Sequence, residues 1–200
     1  MADRLTFLPN ERFAPLRGVL HDHLARVAQA ITPENFPTLC DPLIRGIFKN
    51  ALNAVGAHEG SIWIVDDKRE NLVNALNTGP QAAQLVGYKQ PLGTGIISMV
   101  MANEQGFVEN KVYQNAIHSK AVDNSLKVVT HAMIAVPFYY LKACRGVISC
   151  VQLMPAGAAP GAEPEGFDPD DLIRIQNTAS IITDLIDYRL LSTAVAWTQS

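Results

Sequence analysis

Hydrophobic positions recur at helical spacing near both ends of the chain and crowd into short runs between them. From Leu16, apolar residues fall at Leu16, Val19, Leu20, Leu24, Val27 and Ile31, one face of a helix that Thr32-Pro33 stops. Asp41-Pro42 reads as a cap followed by proline in the first helical position. The helix it opens carries Leu43, Ile44, Ile47, Phe48, Ala51, Leu52 and Val55, and Gly56 ends it. The period then shortens. Ser61–Val65 and Asn71–Leu76 read as strands of a hairpin joined through Asp66–Glu70, and Thr78-Gly79-Pro80 breaks the second. Gln81–Gly87 suits a helical turn, and Pro91–Gly95 opens a helix through Ile96, Ile97, Val100 and Met101. A short strand at Gly106–Glu109 precedes the polar, mixed segment Asn110–Val128, which reads as a loop or a loosely packed short helix. Two central strands follow, His131–Tyr140 and Arg145–Met154, turning at Lys142–Cys144. Pro155–Gly166 has no periodicity and reads as a loop. Asp168-Pro169 then caps a final helix extending to about Trp197, with Leu172, Ile175, Ala179, Ile182 and Ile186 on one stripe and Ile181, Leu185 and Tyr188 beside it.

The composition of the 200 residues narrows the class. With 48% apolar and 18% charged residues, the chain can bury a core, which excludes disorder for its bulk. A formal charge of −3 argues against a nucleic-acid partner, which would need a basic surface. The longest apolar runs are too short for a membrane span, and the charged start lacks an export signal. Three cysteines, Cys40, Cys144 and Cys150, have no metal-ligand spacing and read as reduced thiols of a cytoplasmic protein.

Four segments resemble the GAF domain family in order and spacing. They are Gly60-Ser61-Ile62-Trp63-Ile64-Val65-Asp66, Pro91-Leu92-Gly93-Thr94-Gly95-Ile96, Ile134-Ala135-Val136-Pro137-Phe138 and Gly146-Val147-Ile148. The resemblance covers residues 36–190, leaving 1–35 as a helical extension and 191–200 as the end of the last helix. It implies an α+β fold related to PAS domains: a central antiparallel sheet of about six strands, terminal helices on one face and a ligand pocket on the other. Gly93 and Gly95 are expected to bring helix-start amides close to that pocket.

The resemblance also sets tests for specific chemistries. GAF domains that bind cyclic nucleotides place a serine and a threonine where this chain has Ser61 and Thr130. Their aromatic–Asp pair, however, is replaced by Asn77-Thr78. Gln152-Leu153 stands where that group has Asn-Lys, although Phe167 and Asp171 match. Cyclic-nucleotide binding is therefore the less favoured reading. The free-methionine sulfoxide reductase branch needs cysteines around the pocket helix and its following strand, where this chain has none, so thiol redox catalysis is rejected. A covalent bilin is excluded because residues 110–130 hold His118 but no cysteine. His21 and His23, about 200° apart on a helix, cannot chelate together. His118 and His131 flank the pocket-side loop and read as loop or strand histidines rather than haem ligands. No carboxylate pair suggests acid–base catalysis, and Asp66, Asp67, Asp168, Asp170 and Asp171 read as turn and capping residues.

The expectation is a sensory or regulatory domain rather than an enzyme, with no cofactor or metal. It would bind an unidentified small molecule and signal through helices of a homodimer, toward a downstream signalling domain. The alternative is a structural dimerisation module with a degenerate pocket. Ligand contacts are expected from Ser61, Trp63, Leu76, Asn77, Thr78, Ile96, Ile97, Thr130 and Met133, with Tyr113 and His118 at the mouth. Strand alternation puts Ser61, Trp63 and Val65 on the pocket face, opposite Ile62 and Ile64. The dimer is expected through Leu16, Leu20, Leu24 and Val27 of the first helix and through Leu190, Leu191, Ala194, Val195 and Trp197 of the last.

Overall fold

A computed structural model describes residues 11–155, 157 and 162–194. Helix α1 (Arg17–Gln29) follows a 3-10 turn, and α2 (Pro42–Ala54) is capped by Asp41, whose Oδ1 accepts from the Ile44 amide at 2.9 Å. Six strands follow: β1 (Glu59–Val65), β2 (Asn71–Asn77), β3 (Lys89–Pro91), β4 (Phe107–Asn110), β5 (Thr130–Tyr140) and β6 (Ala143–Leu153). They form one antiparallel sheet in the order β3-β2-β1-β6-β5-β4. Between β2 and β3 lies α3 (Ala82–Leu85). Helix α4 (Gly95–Asn103) precedes β4, α5 (Ala121–Leu126) precedes β5, and α6 (Pro169–Ala194) closes the described fold. The α+β architecture expected from the sequence is the one observed. The sequence reading missed β3, three residues too short for a periodic signal. It left open α5, which the structure shows as a helix.

One face of the sheet carries the larger core. Ile44, Phe48 and Leu52 of α2 and Ile175, Ala179, Ile182 and Ile186 of α6 pack on Ile62, Ile64, Ile134, Val136, Phe138 and Ile148. Phe36, fully buried before α2, meets the Phe138 ring edge-on at 5.8 Å. The entry to α6 is fixed twice. Asp168 and Asp171 exchange side-chain-to-backbone hydrogen bonds at 2.8 and 3.1 Å, a reciprocal cap. Asn110 clamps both backbone groups of Phe167 at 2.9 and 3.0 Å. Gln152 similarly bonds Gly56 and both backbone groups of Gly166, so a position that the cyclic-nucleotide pattern involves serves here as a structural tie. On the opposite face Trp63, Leu72, Ala135 and Val147 are covered by Ile96, Ile97 and Val100 of α4 and by Val112.

The β1–β6 pairing is close. Gly146 lies opposite Ile64, and a Cβ there would overlap the Trp63 carbonyl oxygen, a backbone atom that cannot turn aside. Gly146→Ala is therefore expected to cost about 1–3 kcal/mol or more through forced strand separation, read as a lower midpoint in urea unfolding. An unchanged midpoint would show that the strands part without cost.

Candidate functional site

Alternation along β1 sorts its residues as the sequence predicts. Ile62 and Ile64 enter the helix-side core, while Ser61 and Trp63 face α4 together with Glu59, two residues earlier. Across the ladder Ser61 meets Ser149 and Glu59 meets Val151. Where α4 ends its cover of this face, a cavity of about 60 Å³ remains. Its floor is β1, β5 and β6, and its walls are Leu85, Gln90, Ile96, Ile97 and the segment from His118 to Val128. That volume accommodates about four to six water-sized atoms, at 10–15 Å³ of open space per water.

The polar wall is built around Asp123 in α5. Its Oδ2 accepts from the Thr130 amide at 2.9 Å and its Oδ1 from the Thr130 hydroxyl at 2.7 Å. His118 Nε2 lies 3.4 Å from Oδ2, with both side chains nearly enclosed. Burial alone would push the Asp123 carboxyl upward; the bonds from His118 and Thr130 outweigh it and hold the group below the usual carboxylate range. Glu59 behaves oppositely. It is 8% exposed, and burial, reinforced by the charge of Asp123, raises its carboxyl above the ordinary value. On the floor, Ser61 Oγ accepts from Asn74 and Asn77, each at 3.0 Å, and the Trp63 indole N–H donates to Ser149 Oγ at 3.1 Å.

The structure brings Ser61, Trp63, Ile96, Ile97, His118, Thr130 and Met133 around this cavity. Leu76 is a correction: it packs in the helix-side core. The register shifts between Ile62 and Trp63, so that Ile62 pairs with Leu76 and Trp63 with Asn74, leaving Ala75 as an extra residue. That bulge turns Leu76 away and delivers Asn77 to Ser61. Asn77 and Thr78 support the site from behind, Thr78 Oγ1 accepting the Gly60 amide at 2.9 Å. Tyr113 is also displaced: its hydroxyl reaches Glu163 at 3.3 Å and its ring lies 6.0 Å from that of His131, beyond the cavity wall. Gly93 and Gly95 are absent from the wall, because the Gln90 side chain lies across the turn and donates to the Thr94 carbonyl at 2.7 Å. Helix α4 reaches the cavity through Ile96 and Ile97 instead.

Sequence reasoning missed Glu59 and Asp123. Extending the β1 alternation two residues back from Ser61, across Gly60, would have placed Glu59 on the pocket face. Asp123 lay in a segment without periodicity, where no local signal marks an inward carboxylate. No cysteine lines the cavity. Cys150 is on the helix side, and burial raises its thiol to about 12 and that of Cys40 to about 11.

No family model and no curated sequence matches the chain. Solved structures do. The GAF domain of a phosphoenolpyruvate-protein phosphotransferase from Coxiella burnetii superposes with a TM-score of 0.59 at 16% identity, over 90% of this chain and 96% of that one. Its counterpart from Acinetobacter gives 0.57 at 12% identity, over 94% and 98%. The fold is that of GAF domains. The free methionine-R-sulfoxide reductase of Neisseria meningitidis, solved with its substrate, matches at 0.55 and 20% identity, over 93% and 98%. This last likeness corrects the expectation that the chain is not an enzyme: an enzyme shares the fold across nearly the whole of both chains, so the fold gives no ground for excluding catalysis. Among the described residues no helix is long and apolar enough to cross a membrane.

Two substitutions test the wall. Asp123→Asn removes one acceptor from three converging donors and is expected to cost about 1–3 kcal/mol at neutral pH in chemical denaturation. Because its folded carboxyl titrates low, the loss should shrink as pH falls through that value. Glu59→Gln has the opposite sign. A raised carboxyl binds its proton more tightly in the folded chain, so native stability falls as pH rises from the unfolded value, about 4.3, through the folded one. The glutamine variant should unfold at a higher temperature than the parent at pH 7 and at the same temperature near pH 3. A lower melting temperature at pH 7 would contradict this account.

Proposed function

We propose that the chain is a sensory or regulatory domain, acting in the cytoplasm, that binds a small molecule in the cavity above β1, β5 and β6. Occupancy would be passed to a downstream signalling domain through the helices of a homodimer. The observation that carries the reading is Glu59, a buried carboxylate spent on the wall of a cavity and given no hydrogen bond among the described residues. Burying such a group without a partner is costly, and a core position would hold an apolar residue instead. Ser61, Trp63, Ile96, Ile97, His118, Thr130 and Met133 are the proposed contacts.

The dimer is proposed through α1 and α6. Helix α6 is 26 residues, about 39 Å, long. Its outward face carries Ile173, Ile181, Tyr188 and Leu191, within about 80° of one another around the axis. Leu16, Val19 and Leu20 of the neighbouring N-terminal segment are also exposed. Leu190 is a correction to the expected surface, because it packs inside at 5% exposure. Leu24 and Val27 are half-buried, while Val195 and Trp197 lie outside the described residues. A second copy covering this surface would bury an area on the order of 1,600 Å², the usual size of a stable interface. Strand β5 supports a route between cavity and helices: Thr130 binds Asp123 at one end, and at the other the Tyr139 carbonyl accepts from Thr183 of α6 at 2.7 Å.

Native mass spectrometry of the gently purified chain tests both parts. The expected spectrum is a dimer carrying a retained small molecule, with the ligand lost in Met133→Trp, which fills the cavity. Leu20→Glu with Leu191→Glu should halve the mass seen by light scattering at micromolar concentration. A monomer that retains nothing would overturn the reading.

A further inference from the structure

We propose that the cavity selects a small organic cation, an aliphatic ammonium compound of about four to six heavy atoms, whose charged nitrogen sits on the Glu59 carboxylate. This rests on the ligand-binding reading above and names the chemistry of the ligand. Among the described residues the wall holds two carboxylates, Glu59 and Asp123, and no lysine or arginine. Low-dielectric walls of one sign concentrate the opposite charge.

The two carboxylates have different tasks. Asp123 is already satisfied by Thr130 and His118, which fixes α5 against β5. Glu59 has no hydrogen bond or ion pair among the described residues, although it is more than nine-tenths buried. One side of its carboxylate abuts Gly79, where a Cβ would overlap Oε2, and the group opens on the cavity. Desolvation and its acidic neighbour Asp123 disfavour its charge and raise the carboxyl. An ammonium group offsets both through its opposite charge and its three donors to an unpaired acceptor, against the cost of its own desolvation.

A hard divalent cation fits less well. It asks for six or more oxygen ligands, whereas both Asp123 oxygens are committed, and no group of three or more metal-ligating side chains occurs among the described residues. The hydroxyls nearby define the ligand's other end. Ser61 Oγ accepts two amide donors, which leaves its own proton to give. Ser61 stands two residues along the same strand face from Glu59, roughly 6.7 Å away at the backbone. An acceptor a few bonds from the ligand nitrogen meets that proton.

Ethanolamine, ethylene glycol and glycolate have nearly one shape and carry positive, zero and negative charge. Each is titrated into the nitrogen-15-labelled chain at pH 7 and constant ionic strength, following the Trp63 indole and the Ser61 and Ser149 amides. Ethanolamine should give saturable shifts with a Kd on the order of 1 mM, and the other two should not saturate. In Glu59→Gln, folded by its own spectrum, ethanolamine should bind at least tenfold more weakly. Saturation by ethylene glycol or glycolate at equal or better affinity overturns the cation while leaving a ligand pocket. Undiminished ethanolamine binding in the variant overturns the role of Glu59. No saturation by any probe also overturns the cation, whereas the broader reading fails separately, on the native mass spectrum. The charge series on the parent chain decides the question if the variant does not fold.

Discussion

The sheet is buried on both faces, and most of the structure follows from covering it. In β1, every residue from Glu59 to Ile64 is buried, so neither face of the central strand tolerates solvent. The helix-side face takes two long helices and a continuous apolar core. Among the described residues the other face has α4 as regular cover along its centre, nine residues or about 13.5 Å of helix. Beyond its end the sheet is roofed by the segment from His118 to Val128, and there Glu59, Ser61 and Ser149 join Met133 and Val151 on the floor. The cavity is where the cover from α4 stops, and the polar groups Ser61 and Thr130 in its lining are satisfied through Asn74, Asn77 and Asp123.

The elements with strong local chemistry were legible in the sequence. Asp41-Pro42 and Asp168-Pro169 announce helix starts by capping, a local interaction that needs no knowledge of the fold. The alternation Ser61-Ile62-Trp63-Ile64 assigns faces correctly because both sides of β1 are buried, so register cannot slip without turning every side chain over. What failed was non-local. The bulge at Ala75 is a relation between β1 and β2, and no residue in Asn71–Asn77 advertises it. An unbroken alternation through Leu72 and Asn74 puts Leu76 in the pocket; one extra residue reverses it. Glu59 escaped notice because Gly60 looks like the boundary of a strand. In the fold, Gly60 is inside the strand and lets α2 approach: a Cβ there would lie 2.7 Å from Phe48 and Leu52.

The likeness to both the GAF domain of a phosphotransferase and a reductase shows what the fold leaves undecided. Both superpose over nearly the whole chain, so the distinction rests on side chains rather than on the fold. In this chain the polar ones at the cavity are the carboxylates Glu59 and Asp123, the His118 imidazole, the Gln90 carboxamide and four hydroxyls, set among apolar side chains, while Cys40 and Cys150 lie in the helix-side core. A thiol held as high as that of Cys150 is protonated at neutral pH and is a weak nucleophile.

Under the proposed function, β5 constrains how occupancy reaches α6. The strand is paired along its length with β6, and β4 pairs with its middle, so it cannot slide by one residue without exposing a row of core side chains. Its register shifts at two places, between Thr130 and Ala132 and between Phe138 and Tyr139. Each shift lies beside an anchor: Thr130 holds Asp123, while Tyr139 holds Thr183, and the next turn adds Leu141, whose amide donates to Asp187 at 2.7 Å. The centre of the strand, Ala132 to Phe138, is fixed by both cores. Motion at the cavity is thus either absorbed at the first irregularity or carried by the sheet as a body, and only the second alters the helices. A small ligand that tightens α5 against β5 would favour the second, because it removes the local freedom that otherwise dissipates the movement.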